Sequence, residues 1–217
     1  MIKIVPTILT SNIASFNQYF SIYKTFADRI QIDITDGRFA PSPTIDLKDI
    51  IIPKDWKGDL DLHMMVLKPS LYLPAILELH PSLCIFHAEC TENLLPIFEQ
   101  LSNAGIRTGV ALVKSTYPGK IKPYIEAVDH VLVFAGSLGR QGGEADLLQL
   151  EKANIIKSID GNVEIGWDGG ANLDNIRTLA HSNISVINVG GTLSHSRNPL
   201  ETYKNLEAEA EKQGVNI

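Results

Sequence analysis

One stretch of the sequence decides the fold: Gln31-Ile32-Asp33-Ile34-Thr35-Asp36-Gly37, an apolar β-type run that exits into two carboxylates. Two more runs of this kind are Asp61-Leu62-His63-Met64-Met65-Val66 and, far down the chain, Glu164-Ile165-Gly166-Trp167-Asp168-Gly169-Gly170. Several of the chain's β-type runs are nearly continuous apolar stretches, which are typical of parallel strands that are covered on both faces. Acids at the ends of two different strands indicate proton transfer, and His63 adds an imidazole that could hold a metal beside them.

Eight β-type runs recur along the chain, and stretches with helical spacing alternate with them. The runs cover residues 2–8, 29–35, 59–66, 83–89, 108–113, 130–135, 163–168 and 186–190. The first predicted helix begins after Ser11-Asn12, which can serve as its cap. Its apolar face, at steps of three and four residues, consists of Ile13, Phe16, Phe20, Tyr23 and Ala27.

Two further helices can be placed from local signals. The helix between the fourth and fifth runs has an apolar face of Leu94, Ile97, Leu101 and Ala104. Pro96 fits only the first turn of this helix, and Gly105 is placed to end it. A short helix is also predicted over residues 46–52, where it ends against Pro53.

Eight βα units in 217 residues predict a single α/β domain, residues 1–217, folded as a (β/α)8 TIM barrel. A doubly wound open sheet is the alternative fold. That fold carries a glycine-rich fingerprint after its first strand, and here the turn reads Pro6-Thr7-Ile8-Leu9-Thr10-Ser11 without a glycine. We therefore predict the barrel. In such a barrel the carboxyl ends of all strands lie on one face, and the active site lies there.

The composition is that of an ordinary globular protein, with 44% hydrophobic and 20% charged residues. A formal net charge of −6 and the lack of a Lys/Arg cluster argue against nucleic acid and anionic membranes as partners. No apolar run is long enough to span a membrane and the N-terminus lacks a signal pattern, so a cytoplasmic protein is expected. Cys84 and Cys90 are too few for a disulfide framework and are interpreted as ordinary core or near-core thiols.

Glycine pairs follow three successive strands: Gly142-Gly143 after the sixth, Gly169-Gly170 after the seventh and Gly190-Gly191 after the eighth. Bare backbone N–H groups at neighbouring strand exits can bind a phosphate without lysine, which suits an acidic chain. The sequence therefore predicts a small phosphorylated molecule as the ligand.

Other polar residues have simpler interpretations. Asp36 is the best candidate for a helix cap or loop anchor. His80, His130 and His181 lie at strand starts or helix ends and are interpreted as structural or surface residues. His195 follows the last strand and is interpreted as part of a solvated loop, with ligand contact as the alternative.

These motifs resemble those of the ribulose-phosphate 3-epimerase family over nearly the whole chain. Pro6-Thr7-Ile8-Leu9-Thr10 is similar to the family's Pro-Ser-Ile-Leu-Ser, and Asp33-Ile34-Thr35-Asp36-Gly37-Arg38-Phe39-Ala40-Pro41 to Asp-Val-Met-Asp-Gly-His-Phe-Val-Pro. Asp61-Leu62-His63-Met64-Met65-Val66 is similar to Asp-Val-His-Leu-Met-Val, Phe86-His87-Ala88-Glu89 to Phe-His-x-Glu, and Asp168-Gly169-Gly170-Ala171-Asn172 to Asp-Gly-Gly-Val-Asn. The resemblance implies a TIM barrel isomerase of pentose phosphate metabolism, usually a homo-oligomer, that interconverts D-ribulose 5-phosphate and D-xylulose 5-phosphate at C3.

The resemblance also implies a role for each site residue. Asp33 and Asp168 are implied to be the acid and the base on opposite faces of the substrate carbon. Together with His63 they are implied to bind a divalent metal ion, zinc or alternatively iron, manganese or cobalt, that stabilises a cis-enediolate. Thr7 is implied to contact the substrate and Met65 to cap the enediolate. The implied phosphate-binding residues are Gly142, Gly143, Gly170, Gly190 and Gly191.

Several positions depart from the family pattern. Gln31 stands where the family has a metal-binding histidine, and an amide oxygen is a poorer zinc ligand than imidazole, although it can serve a harder cation. Thr35 replaces a methionine that helps to shield the enediolate, and Phe134 replaces another methionine. The loop 135–143 is one residue longer than in the family, and its Arg140 could replace a backbone contact to phosphate with a charged one.

Three functions stay open from the sequence. An active epimerase is favoured because both carboxylates are present, with ribulose 5-phosphate or another ketose phosphate such as allulose 6-phosphate as its substrate. A catalytically weakened sugar-phosphate-binding homologue is the second hypothesis, and Gln31 speaks for it. A related barrel aldolase or decarboxylase ranks last, because Lys114 is the only lysine predicted at a strand end.

Overall fold

A parallel barrel of eight strands forms the centre of the computed structural model, which describes residues 2–140 and 142–213. The strands are β1 (Lys3–Ile8), β2 (Arg29–Thr35), β3 (Asp59–Met65), β4 (Leu83–His87), β5 (Arg107–Leu112), β6 (His130–Phe134), β7 (Glu164–Asp168) and β8 (Val186–Val189). They follow one another around the barrel in chain order, and β8 closes on β1. The TIM barrel is confirmed, and every predicted β-type run becomes a strand.

Helices on the outside cover the strands. In the described residues they are α1 (Ile13–Tyr23), α2 (Leu73–Leu79), α3 (Leu95–Asn103), α4 (Lys122–Ile125), α5 (Glu151–Ile159), α6 (Ile176–Ala180), α7 (Gly191–Ser194) and α8 (Pro199–Ala210). The cap predicted for α1 is confirmed, because the Asn12 side chain accepts a hydrogen bond from the backbone N–H of Ser15 at 3.0 Å. Phe16, Phe20 and Tyr23 are buried as expected, whereas Ile13 is 41% exposed, so its assignment to the apolar face was wrong.

The helix α3 also begins and ends as its sequence predicts. Pro96 lies in its first turn, where a missing N–H costs nothing. Gly105 follows the helix with φ of +79°, a conformation that a residue with a side chain rarely adopts. The buried Ile97 and Leu101 face the core, as expected from their spacing.

The helix predicted over residues 46–52 is wrong. The stretch holds one 3-10 turn, Leu47–Asp49, in which the Asp46 side chain accepts a hydrogen bond from the backbone N–H of Lys48 at 3.2 Å. Ile50 returns to extended backbone with ψ of 121°, and Pro53 follows. A helix cannot continue through the residues before a proline without steric conflict, so the stretch is too short to extend beyond one turn.

The interior of the barrel is layered along its axis. On β2 and β3, the register pairs Gln31 with Asp61 and Asp33 with His63. Side chains alternate between the two faces of a strand, so residues two apart share the interior face. A small apolar cluster fills part of the middle of the barrel and consists of Leu83, Ile85, Ala111 and Leu132.

The amino-terminal end of the barrel contains a network of ion pairs. Arg29, 3% exposed, donates from Nε to Asp61 at 2.7 Å and from both terminal nitrogens to Glu164 at 3.0 Å each. Nδ1 of the buried His130 lies 2.8 Å from Glu164, and Arg107 lies 3.4 Å from the same carboxylate. This network explains His130 as a structural residue, as its position at a strand start indicated.

Two expectations from composition concern features outside the barrel interior. Cys84 is buried and Cys90 is half-buried, and both are free thiols, as predicted. Among the helices of the described residues, none has the length and apolar character needed to cross a bilayer.

Candidate active site

The carboxyl ends of β2, β3 and β7 bring Asp33, His63 and Asp168 together. Nδ1 of His63 lies 3.0 Å from Oδ1 of Asp33 and 3.5 Å from Oδ2 of Asp168. One potential ligand atom from each of the three residues lies within 4.8 Å of the other two. Three strand ends that are far apart in sequence therefore form one cluster.

Gln31 lies inside this cluster, because it shares the interior face of β2 with Asp33. Its amide nitrogen donates to Oδ1 of Asp33 at 2.9 Å and to Oδ2 of Asp168 at 2.8 Å. The residue is fully buried, and among the described residues its Oε1 atom has no hydrogen-bond partner. The amide thus joins the two carboxylates directly.

Burial and neighbouring charges set the protonation of the cluster. Burial, together with the nearby Asp168 carboxylate, raises the pKa of Asp33 above its ordinary range. Burial alone would lower the pKa of His63, but hydrogen bonds to Asp168 and Asp33 outweigh it and raise this pKa to about 9. With no cation bound, His63 is therefore charged at neutral pH and balances part of the charge of the two acids.

A row of hydrogen bonds continues from His63 to the edge of the site. Nε2 of His63 lies 2.9 Å from Nε2 of His87, and Nδ1 of His87 lies 3.3 Å from Glu89. The other carboxylate oxygen of Glu89 accepts a hydrogen bond from the backbone N–H of Val113 at 3.0 Å. We call His63, His87 and Glu89 the histidine row; it holds the His63 ring in one orientation.

Aromatic rings surround the histidine row. The ring centroid of Phe134 lies 5.7 Å from that of His63 and 5.6 Å from that of His87, and Phe39 lies 4.9 Å from His87. Phe134 therefore contacts both histidine rings from a position where the family has a methionine. Thr35, which also stands where the family has a methionine, donates a hydrogen bond from its hydroxyl to the backbone carbonyl of Ser42 at 2.5 Å and so stabilises a loop.

A cavity of about 520 Å³ opens above the carboxylates. Its walls include Asp33 and Asp168, with Thr7 and Met65 on strand ends. The predicted phosphate residues that line it are Gly142, Gly143, Gly170, Gly190 and Gly191. His63 and Gln31 lie beneath the floor, fully buried. The structure thus brings all predicted substrate-contacting residues to one cavity.

The glycines belong to loops that touch one another. A Cβ atom at Gly170, where φ is +69°, would lie 2.3 Å from the backbone nitrogen of Ala145. A Cβ atom at Gly191 would lie 2.9 Å from Cα of Gly142. The loops after β6, β7 and β8 therefore approach so closely that a side chain has no room at Gly170 or Gly191, whereas Gly142 and Gly143 have open space but positive φ angles that favour glycine.

Residues with simpler interpretations are found where the sequence indicated. Asp36 anchors a loop, because its carboxylate accepts hydrogen bonds from the backbone of Arg38 at 2.8 Å, of Phe39 at 2.7 Å and of Leu67 at 2.7 Å. His80 and His181 are exposed. Arg140 and His195 are exposed but line the cavity, so the ligand-contact interpretation of His195 stays a prediction.

Sequence reasoning missed two features of the site. It gave His87 and Glu89 only as part of a motif similar to the family's, and assigned them no role beside His63. It also missed Asn188, which is 2% exposed, lines the cavity and has an Oδ1 atom without a hydrogen-bond partner among the described residues. The signal was present, since Asn188 is a polar residue in an otherwise apolar strand next to Gly190.

The donor set fits a divalent cation. Two carboxylates and one imidazole converge on one point, and such mixed oxygen and nitrogen ligands suit several divalent metals. The histidine row supplies the outer hydrogen bond that a ligating imidazole normally has. The buried and unpartnered Oε1 of Gln31 is the remaining donor in reach of this set.

Known proteins similar to this chain point in one direction. A model of the ribulose-phosphate 3 epimerase family matches residues 3–193. The ribulose-phosphate 3-epimerase of Schizosaccharomyces pombe is 27% identical over 213 residues, covering 94% of this chain and 92% of that protein. The cytoplasmic isoform of Oryza sativa is 28% identical over 215 residues, covering 96% of this chain and 94% of that protein.

Solved structures agree on the fold. The 3-hexulose-6-phosphate synthase of Salmonella typhimurium superposes with a TM-score of 0.69 at 14% identity, covering 96% of this chain and 98% of that one. At these identities the likeness concerns the barrel alone. The family match extends over most of the chain. The chain therefore belongs to the ribulose-phosphate 3-epimerase family, a family of carbohydrate epimerases.

Proposed function

We propose that the protein inverts C3 of a ketose phosphate, with D-ribulose 5-phosphate and D-xylulose 5-phosphate as the interconverted pair. The observation that carries this proposal is the placement of Asp33 and Asp168 on two different strands at the floor of one cavity. Inversion at carbon requires that a proton leaves on one face and returns on the other, and two separately mounted carboxyl groups can do this.

Each acid has a defined task in this proposal. One carboxylate takes the proton from C3, and the carboxyl group on the opposite side returns a proton to the other face of the planar cis-enediolate. Burial favours the protonated form of Asp33, so this residue can hold the proton that it later gives. His63, held by the histidine row, keeps positive charge or a cation beside both acids.

The metal would be held by Asp33, His63 and Asp168, with Gln31 as a further donor. When bound, a divalent cation would polarise the C2 carbonyl and the C3 hydroxyl of the substrate. Phe134 and Met65 line the same cavity as the two acids and add apolar surface to its wall. Which metal is bound stays a prediction.

The glycine loops would bind the phosphate. Backbone N–H groups of Gly142, Gly143, Gly170, Gly190 and Gly191 are available at the same cavity. Arg140 can add positive charge, and His195 a ring nitrogen, to a phosphate site that the family resemblance implies is built from glycine. The distance between phosphate site and acids then selects the carbon that reacts.

The alternatives have less support. A sugar-phosphate-binding homologue without activity would gain nothing from a buried carboxylate at Asp33 and a half-buried one at Asp168, because two such groups are costly to keep beside each other without a function. A related aldolase or decarboxylase would need a lysine near the acids, and Lys114 does not line the cavity that holds Asp33 and Asp168.

The test is product formation with metal-supplied protein. Ribulose 5-phosphate and allulose 6-phosphate are each incubated with the protein, and the products are followed by ¹³C NMR. We expect xylulose 5-phosphate from the first at the higher kcat/KM. Faster conversion of allulose 6-phosphate to its C3 epimer would change the substrate, and conversion of neither sugar would overturn the proposal.

A further inference from the structure

Gln31 uses both hydrogens of its amide on the catalytic pair. The nitrogen lies 2.9 Å from Oδ1 of Asp33 and 2.8 Å from Oδ2 of Asp168, and the residue is 0% exposed. One primary amide nitrogen has two N–H bonds, so each carboxylate receives one. We call this arrangement the amide clamp.

The amide clamp occupies oxygens that a cation would need. The Asp33, His63 and Asp168 atoms that can ligate a metal lie within 4.8 Å of one another, and the amide nitrogen bonds to both acids of this set. An N–H donor and a cation compete for the same carboxylate lone pairs. A cation that binds through Oδ1 of Asp33 and Oδ2 of Asp168 therefore displaces the amide nitrogen from these two oxygens.

The oxygen of the Gln31 amide indicates what must happen before the amide nitrogen can leave the two carboxylates. Oε1 of Gln31 is buried and, among the residues that the structure describes, accepts no hydrogen bond. A half-turn of the amide would exchange the positions of nitrogen and oxygen. The oxygen would then face two carboxylates, which is favourable only when a cation lies between them.

We propose that Gln31 sets the metal preference of this site: its amide nitrogen clamps Asp33 and Asp168 in the metal-free protein, and its amide oxygen becomes a ligand when a cation displaces the clamp. The proposal rests on the proposed function only in taking these two acids as the active pair. An amide oxygen is a hard ligand, so the site favours Mn²⁺ relative to Zn²⁺ more than an imidazole at this position would.

The clamp is first tested by NMR on the wild-type protein. Side-chain ¹⁵N–H₂ signals are recorded with EDTA and then during titration with Zn²⁺, which is diamagnetic. Both hydrogens of Gln31 are expected to exchange slowly with solvent and to shift strongly when the ion binds. Gln149 is the matched control, because its amide donates to Asp146 at 3.0 Å outside the ligand set, and its signals should not move.

The preference is then tested by calorimetry with Mn²⁺ and Zn²⁺ on the wild type and on Gln31→His. Replacement is expected to raise Zn²⁺ affinity by roughly tenfold or more, as is typical of changes in a ligand shell, and to raise Mn²⁺ affinity less. An unchanged ratio of the two affinities would overturn the proposal. So would bound metal that leaves the Gln31 amide signals where they were.

The NMR and calorimetry experiments do not measure turnover. The proposed epimerase function and the proposed role of Gln31 can therefore be refuted independently of each other. A protein that converts no sugar but shows the clamp and the altered metal ratio would remove the proposed function and support this inference. A protein that converts ribulose 5-phosphate while the Gln31 hydrogens exchange freely would do the reverse. If Gln31→His does not fold, the wild-type amide signals still test the clamp, and signals that do not move when the ion binds still overturn the proposal.

Discussion

The histidine row has one arrangement of hydrogens that satisfies all its members. Two Nε2 atoms 2.9 Å apart require one donor and one acceptor. The Glu89 carboxylate accepts a hydrogen bond from Nδ1–H of His87, so Nε2 of His87 carries no hydrogen. That atom therefore accepts a hydrogen bond from Nε2–H of His63. Burial lowers the pKa of His87 to about 4, which agrees with a neutral ring. Nδ1 of His63 is thereby directed at Asp33 and Asp168.

Removing the charge of Glu89 should disturb this arrangement. In Glu89→Gln the amide cannot accept from both His87 and the N–H of Val113, because one of its ends is a donor. We expect kcat/KM to fall by roughly tenfold, the scale of outer hydrogen bonds to a ligating imidazole. Imidazole ¹⁵N NMR should show the neutral ring of His87 exchanging between its two tautomers.

Glu92→Gln is the control for this change. Glu92 lies in the same connection and is half-buried, and in the described part of the chain its carboxylate accepts hydrogen bonds only from Ser70. Its replacement should leave rate and tautomers unchanged. Equal rates for both variants would show that the histidine row does not position His63.

The sequence predicted the identities of the central residues but not their contacts. Asp33, His63 and Asp168 could be selected because strand ends of a barrel meet on one face. The role of Gln31 could not be predicted, since its amide contacts acids on β2 and β7, and that contact depends on distances across the barrel. Gln31 appeared only as a departure from a family pattern.

At the scale of elements, the spacing of apolar residues and the turn residues were sufficient to predict the strands, but they predicted the connections between strands less well. All strands were predicted from short β-type runs, and several of these runs are nearly continuous apolar stretches, as expected of buried parallel strands. The connection after β2 was predicted wrongly, since Asp46 begins a turn that Pro53 prevents from growing. Short helical segments such as α4 carry too few residues for a period to appear.

The ion network at the strand starts makes a prediction about acid stability. Burial alone would raise the pKa of Glu164, but His130 and Arg29 outweigh it and hold this pKa far below its ordinary range. A carboxyl whose folded pKa is depressed stabilises the fold above its unfolded pKa, and this stabilisation is lost as pH falls. His130 adds to the loss, because burial lowers the pKa of its imidazole, and the unfolded chain binds that proton first.

Glu164→Gln should therefore lower the free energy of unfolding at pH 7 by about 3 kcal/mol, because the buried Arg29 loses a charged partner. The variant should also lose less stability than the wild type between pH 5 and pH 3, roughly the range where free glutamate titrates. Urea unfolding across this range measures both effects. Glu126→Gln removes an exposed pair with Lys122 and should cost less than about 0.5 kcal/mol. Parallel pH curves for wild type and Glu164→Gln would contradict the account.

At the scale of the whole molecule, the residues that stabilise the barrel and the residues of the candidate active site lie at different ends of it. Ion pairs fill the amino-terminal end, apolar side chains lie in the middle, and the acids and the cavity lie at the carboxyl end. Loops after β6, β7 and β8 then bring the glycines to the same cavity. A chain with this division can vary its site, as at Gln31, while its strands keep the fold.

The central claim is that Asp33 and Asp168 invert C3 by proton transfer, and deuterium exchange tests it most directly. Metal-supplied protein is incubated with ribulose 5-phosphate in D₂O, and NMR follows deuterium at C3 together with xylulose 5-phosphate. Asp33→Asn and Asp168→Asn should each slow exchange by about 10² or more, while binding of inorganic phosphate and the urea midpoint stay near wild type. The exposed Asp55→Asn serves as the matched control and should exchange at the wild-type rate. Epimer formation without deuterium at C3, or full exchange in either active-site variant, would contradict the claim.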